Sequence, residues 1–231
     1  MTERALSGRR IVVLGGTGNL GRAVTSRFRA DGASVLVADS RPPSDAVRAE
    51  QAGVDYATVD ALNEASVEAV LAAAAAPAAV VNLIGGYTPP QPLPGLDVGV
   101  LREQLELNLV TAAIVTKYAM PTLAAQDGGA LVHVSSRVAV QSGENGFAYS
   151  VSKLGVVRLV EAAAAEGREQ GVRVNCIMPS IIDTPVNRAA MPEAAHHRWP
   201  KPAELAAVLA FLVSDDAVLI SGAAIPVYGR A

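Results

Sequence analysis

The sequence predicts an α/β fold: a doubly wound, seven-stranded parallel sheet with helices on both faces. Two observations predict it. Short β-branched runs alternate with longer Ala-rich, helix-forming stretches along all 231 residues, and a glycine-rich turn, "GGTGNLG" at residues 15–21, joins the first run to the first such stretch. A strand that returns through a helix lies parallel to its predecessor, and successive right-handed crossovers cover both faces of the sheet.

Taken in order, "RIVVLGG" predicts the first strand and residues 19–31 the first helix. "ASVLVAD" is then followed by a helix at 44–53, "VDYATVD" by one at 64–76, and "AAVVNLIGG" by one from about 98 to 125. "GALVHVSS" precedes a helix from about 147 to 170, "VRVNCIMP" precedes one at 202–214, and "AAIPVYG" closes the series. Ala-rich segments such as 72–79 and 162–165 suit helices packed closely on a sheet. The proline-rich segment "GGYTPPQPLPGLD" follows the carboxyl end of the fourth strand, where regular structure is excluded and open α/β sheets bind ligands. The length suits one domain spanning 1–231, with no linker.

Bulk properties narrow the function. Hydrophobic residues make up 51% of the chain, yet the longest apolar run, "AVLAAAAAPAAVV", is interrupted by Pro77 and is too short to span a membrane. The start, "MTERALSGRR", lacks the apolar core of a signal peptide, so a soluble cytoplasmic protein is expected. The single cysteine, Cys176, excludes an intrachain disulfide and reads as a buried thiol. A net charge of −3 with interspersed signs and 4% aromatics offers nucleic acid no basic stripe or stacking platform. The adjacent His196 and His197 lack a carboxylate or thiol cluster, so no metal is expected.

The turn at 15–21 carries glycines at 15, 18 and 21 between strand and helix. Glycine allows the tight turn, the approach of backbone to a pyrophosphate and close helix–strand packing, while the helix amino end offers N–H groups and partial positive charge. In this context the residues Gly15, Thr17, Gly18, Asn19, Leu20 and Gly21 predict a Rossmann-type dinucleotide site. Asp39, ending the second strand, can accept hydrogen bonds from ribose hydroxyls and repel a ribose phosphate, which favours NAD. Arg41 could instead meet that phosphate, so NADP stays possible. Asp60, with Ala61, falls either near the adenine or in a helix cap.

With this loop, Asn108 in "ELNLVTA", "HVSSRV", "AYSVSK" and "NCIMPSIIDT" all in order, the chain resembles the short-chain dehydrogenase/reductase family over nearly its whole length. The resemblance implies an active site of Tyr149, Lys153 four residues on, Ser136 thirteen residues before the tyrosine, and Asn108. It also implies cofactor contacts at Asn82, Gly85, Pro179, Ile182 and Thr184, a short lid at about 184–201, and a homodimer or homotetramer. The loop departs from the family's tighter glycine spacing, with Leu14 and Asn19 at altered positions. "NLIG" keeps only Asn82 and Gly85 of the usual Asn-Asn-Ala-Gly.

Spacing of four places Tyr149 and Lys153 on one helix face, where the ammonium is expected to lower the phenol's pKa. Ser136 is then expected to hydrogen-bond the reacting oxygen, and Asn108 to hold a water that links Lys153 to solvent. Arg188 and Arg137 are candidates to bind an acid, and Tyr87 to reach the substrate; Trp199 is read as a packing anchor. The expected activity is an NAD(P)-dependent oxidoreductase interconverting a small-molecule secondary alcohol and its carbonyl compound, with Tyr149 as general acid/base. "NLIGGYTP" also resembles the family's pteridine-reducing members, giving a dihydropteridine-type reductase using NADH as a second reading. A non-catalytic dinucleotide-sensing regulator is the third.

Overall fold

The computed structural model describes residues 5–230; Met1–Arg4, which begin the segment read above for a leader, and Ala231 lie outside it. Seven strands form one parallel sheet in the order β3-β2-β1-β4-β5-β6-β7. They are β1 (Arg10–Leu14), β2 (Ser34–Asp39), β3 (Asp55–Thr58), β4 (Ala79–Asn82), β5 (Gly129–Val134), β6 (Val172–Pro179) and β7 (Ala224–Val227). The helices are α1 (Asn19–Ala30), α2 (Asp45–Glu50), α3 (Glu64–Ala73), α4 (Val98–Leu105), α5 (Thr111–Ala124), α6 (Phe147–Gly167), α7 (Pro185–Ala190) and α8 (Pro202–Val213).

The strands are apolar on both sides because both sides are covered. Alternation along β1 sends Val12 and Leu14 into one core, with Val115 and Leu123 of α5 and Val157 and Val160 of α6. Ile11 and Val13 enter the other, with Val24 and Phe28 of α1 and Leu205 and Leu209 of α8. Burying one such side chain contributes roughly 1.5–3 kcal/mol. Helix starts are marked by polar side chains: Ser44 accepts from the Val47 N–H, Asn63 from Ser66 and Asp97 from Gly99.

Two helical segments differ from expectation. The helix expected from about 98 to 125 is interrupted by a π-helical turn at Glu106–Val110, so α4 and α5 are joined by one wider turn. In the segment 184–201, α7 forms after Pro185, whose fixed φ suits a first helical position, with Thr184 capping the Asn187 N–H. No helix among the described residues is long and apolar enough to cross a membrane.

Candidate active site

All strands being parallel, their carboxyl ends share one rim, and the predicted site residues after β1 to β6 converge there. At β1 the loop turns at Gly15, whose φ is +75° and whose N–H donates to the Ala38 carbonyl at 2.7 Å. A Cβ on Gly21 would sit 2.5 Å from the Gly16 carbonyl carbon and oxygen, and one on Gly16 2.7 Å from Val37 Cγ1. Strand, loop and helix are thus in backbone contact. Over Gly18, by contrast, an added Cβ would meet nothing within 4 Å. Helix α1 begins there with no side-chain cap and no acid in its first turn. Its first N–H groups, at Asn19, Leu20 and Gly21, have no partner inside the helix and are available to an anion.

Asp39 closes this site from β2. Its Oδ2 accepts from the Thr17 N–H at 3.0 Å and hydroxyl at 2.6 Å, and its Oδ1 accepts from the Ser40 N–H at 2.8 Å. The Val59 N–H donates to the Asp39 carbonyl at 2.9 Å, which brings Asp60 and Ala61 to the same edge. Asp60 is exposed and accepts from the Leu62 N–H; the cap of α3 is Asn63. Open space above Gly18, a free helix amino end and a carboxylate held beside them fit a dinucleotide.

At β4, Asn82 is buried and fixes the chain that follows. The Ile84 N–H needs an acceptor, so Asn82 Oδ1 faces it at 3.1 Å and its Nδ2 donates to His133 Nδ1 at 3.1 Å. This assigns the imidazole proton to Nε2, which donates to Thr116 Oγ1 at 3.0 Å, while that hydroxyl donates to the Ala112 carbonyl. Asn82 therefore positions the Gly85–Gly86 loop from inside the fold. Burial, with the charge of Lys153 as a lesser cause, pushes the His133 imidazole down to about 3 from its ordinary 6.5.

That depression has a measurable consequence. Above pH 6.5 His133 is neutral whether folded or unfolded; between pH 6.5 and 3 the unfolded chain binds a proton that the native state refuses. Stability should fall by about 1.4 kcal/mol per pH unit through this window from His133 alone. Denaturant titrations at pH 6.5 and 4.5 check this. His133→Asn should show a smaller difference between the two pH values than the parent, and equal differences would refute the assignment.

Asn108 lies within the π-helical turn, a wider turn of a kind often found at functional sites. Its Oδ1 accepts from the Gly86 N–H at 3.0 Å and its Nδ2 donates to the Gly86 carbonyl at 3.0 Å, with Gln104 Oε1 and Ser152 Oγ each at 3.2 Å. Asn108 thus clamps backbone directly. Gly85 comes so near that a Cβ there would lie 2.7 Å from Asn108 Oδ1 and 2.8 Å from Lys153 Nζ. Glycine is required at that crossing.

Helix α6 brings Tyr149 and Lys153 to this loop. Ser135, at the end of β5, donates its hydroxyl to the Lys153 carbonyl at 2.8 Å and ties helix to strand; Ser136 stands next to the Tyr149 phenol. Lys153 is buried, and desolvation lowers it to about 8. Its Nζ donates to the Val134 carbonyl at 3.1 Å and lies over the Tyr149 ring, 5.9 Å from the centroid. The expectation that this cation lowers the phenol's pKa is corrected here: burial raises Tyr149 above its ordinary value, with the Ser136 hydroxyl acting in the opposite direction. Loss of water dominates, and the neighbouring Tyr87 acts in the same direction.

Tyr87 is exposed and meets Tyr149 edge to face, 5.2 Å between centroids at 88°. Pro179 ends β6 beside Val227. The Ile182 carbonyl accepts from Asn187 Nδ2 at 2.8 Å, Arg188 is paired with Asp183, and Trp199 is buried against His196. Gly16, His133, Gln104 and Ser152 are site-forming residues that the sequence reading missed. Gly16 had a visible signal in the Gly15–Gly16 pair, and Gln104 stands one helical turn before Asn108; His133 and Ser152 gave none, since they act through contacts between elements far apart in the chain.

Comparison with known proteins agrees with this fold. A family model described as "Enoyl-(Acyl carrier protein) reductase" matches residues 16–229. Similar proteins include the cis-4-hydroxycyclohexanecarboxylate dehydrogenase of Sinomonas cyclohexanicum, 32% identical with 97% of each chain covered. A 7alpha-hydroxysteroid dehydrogenase of Bacteroides fragilis is 28% identical, covering 95% of this chain and 92% of that protein. Among solved structures, a short-chain type dehydrogenase/reductase from Mycobacterium ulcerans superposes with a TM-score of 0.90 at 27% identity, over 97% of this chain and 90% of that one. Levodione reductase superposes with a TM-score of 0.89 at 26% identity, over 96% of this chain and 97% of that one. The fold, the glycine loop, the clustered Asn108, Ser136, Tyr149 and Lys153, and these matches have one explanation: the chain belongs to the short-chain dehydrogenase/reductase family.

Proposed function

We propose that this oxidoreductase interconverts a ring-borne secondary alcohol and its ketone, using NAD in preference to NADP. The observation that carries the reading is the Tyr149 phenol beside Ser136 and Lys153, on the same sheet rim as the glycine loop. Members of the family use NAD(P), and a bound nicotinamide supplies or accepts the hydride. The first N–H groups of α1 would hold the pyrophosphate, Asp39 would take the adenosine ribose, and the segment from Pro179 through Ile182 to Thr184 would border the nicotinamide end.

Tyr149 gives its proton to the carbonyl oxygen in reduction and removes the hydroxyl proton in oxidation. Ser136 donates to the same oxygen and stabilises charge developing there. Lys153, protonated below about 8, supplies positive charge over the Tyr149 ring and would offer a donor to the nicotinamide ribose. Asn108 holds the Gly85–Gly86 loop at the distance this arrangement needs. Segment 184–201 closes over the substrate, and Tyr87 with its prolines offers a ring an apolar wall. A ring substrate is favoured because two relatives are named for ring alcohols, a hydroxycyclohexanecarboxylate and a hydroxysteroid.

The test is turnover of a panel of alicyclic alcohols and ketones with NAD and NADP in parallel. Turnover faster with NAD is expected, and Asp39→Ala should lower the NAD:NADP preference by about 5- to 30-fold, since removing a like charge spares a ribose phosphate roughly 1–2 kcal/mol. No nicotinamide turnover on any member of the panel would refute the reading.

A further inference from the structure

Resting on the ring-alcohol reading, we propose that Arg137 is the anchor for a substrate carboxylate, so that the preferred substrate is an alicyclic hydroxy acid or the matching keto acid. Arg137 follows Ser136 directly, and adjacent Cα atoms are only about 3.8 Å apart. Its guanidinium lies over the ring of Tyr228, 5.6 Å from the centroid. That platform is itself held, because the Tyr228 carbonyl accepts the Ser180 hydroxyl at 2.7 Å. This contact with the ring uses none of the guanidinium N–H groups as hydrogen-bond donors.

Those donors are unspent. Four other arginines are as sheltered as Arg137, and each has a partner. Arg9 pairs with Asp215, Arg10 with Asp55 and Arg22 with Glu50, while Arg173 donates to the carbonyls of Leu212 and Ser214. Among the described residues, Arg137 alone is half-buried with no carboxylate or carbonyl partner. Unpaired guanidinium donors form charge-assisted hydrogen bonds with an anion that reaches them. Asp183, the acid on the neighbouring segment, is neutralised by Arg188 and does not compete.

The placement suits a molecule with two unlike ends. Tyr87 and the proline-rich loop follow β4, with Tyr87 against Tyr149, while Arg137 and Tyr228 follow β5 and β7. A ring carrying its hydroxyl at Ser136 and Tyr149 would rest on the apolar side and direct a carboxylate from its far end toward the arginine. Arg137 would then select among ring alcohols without touching the proton or the hydride.

The experiment compares the parent with Arg137→Met and Arg137→Lys on cis-4-hydroxycyclohexanecarboxylate and its uncharged methyl ester. For the acid, kcat/KM should fall about 100-fold in Arg137→Met, mostly through KM, with partial recovery in Arg137→Lys; for the ester all three proteins should agree within about twofold. Equal losses on acid and ester, or no loss on the acid, would overturn the proposal. If the parent turns over neither compound, the panel of alicyclic alcohols and ketones decides the function reading, and calorimetry of cyclohexanecarboxylate with the NAD-loaded protein decides the role of Arg137. Binding weakened by the Met variant upholds it; equal binding, or none, overturns it.

Discussion

Tyr149→Phe is expected to lower turnover of the alcohol or ketone about a thousandfold while leaving the affinity for the dinucleotide unchanged. The substitution removes one oxygen from a half-buried ring and keeps its edge-to-face contact with Tyr87, so packing is preserved. What disappears is the proton that must reach the reacting oxygen, and positioned acid–base groups contribute about 10²–10⁴-fold. Measuring kcat beside a dinucleotide titration separates the two effects. A variant that keeps more than about a tenth of the parent rate would remove Tyr149 from the reaction, because Ser136 and Lys153 would then suffice.

Gly21→Ala is expected to cost about 1–3 kcal/mol of stability and to abolish dinucleotide binding, since its new methyl would run into the Gly16 carbonyl and force α1 away from β1. Gly18→Ala provides the contrast. Gly18 has a φ of −74°, which alanine tolerates, and open space where the methyl would lie. Its thermal midpoint should match the parent, while dinucleotide affinity drops because the space is where the pyrophosphate is proposed to lie. If both variants lost stability equally, or neither lost affinity, the loop would be a structural turn and no phosphate site.

These contrasts show which parts of the molecule are legible in a sequence. The sheet is legible because the central strands must be apolar on both faces and every crossover must be long enough for a helix, so the pattern of "RIVVL", "SVLVAD" and "GALVHV" constrains the order. Ser136 and Tyr149 are legible through the offset that the family resemblance supplies, which runs across the connection from β5 to α6. The direction taken by Lys153 is not. Spacing on a helix fixes a face, whereas the choice between the phenol and the Val134 carbonyl depends on the end of another strand. The same holds for His133, which reads as a lone polar residue in an apolar strand and proves to link Asn82 to α5 through Thr116. The π-helical turn also escapes, because "ELNLV" has ordinary helical composition.

The outer edge of the sheet has a consequence for solubility and for how copies of the chain can meet. The Cys176 N–H donates to the Ala223 carbonyl, so residues 223, 225 and 227 direct their backbone groups toward β6, and 224 and 226 direct theirs outward. Pro226 therefore places a nitrogen without hydrogen at the open side of β7. An incoming strand would find a gap in the row of donors it needs, and a row that short cannot spare one. Growth of the sheet by strand addition is blocked at this edge. Copies that approach one another here must adhere through side chains, which can be specific where bare backbone cannot.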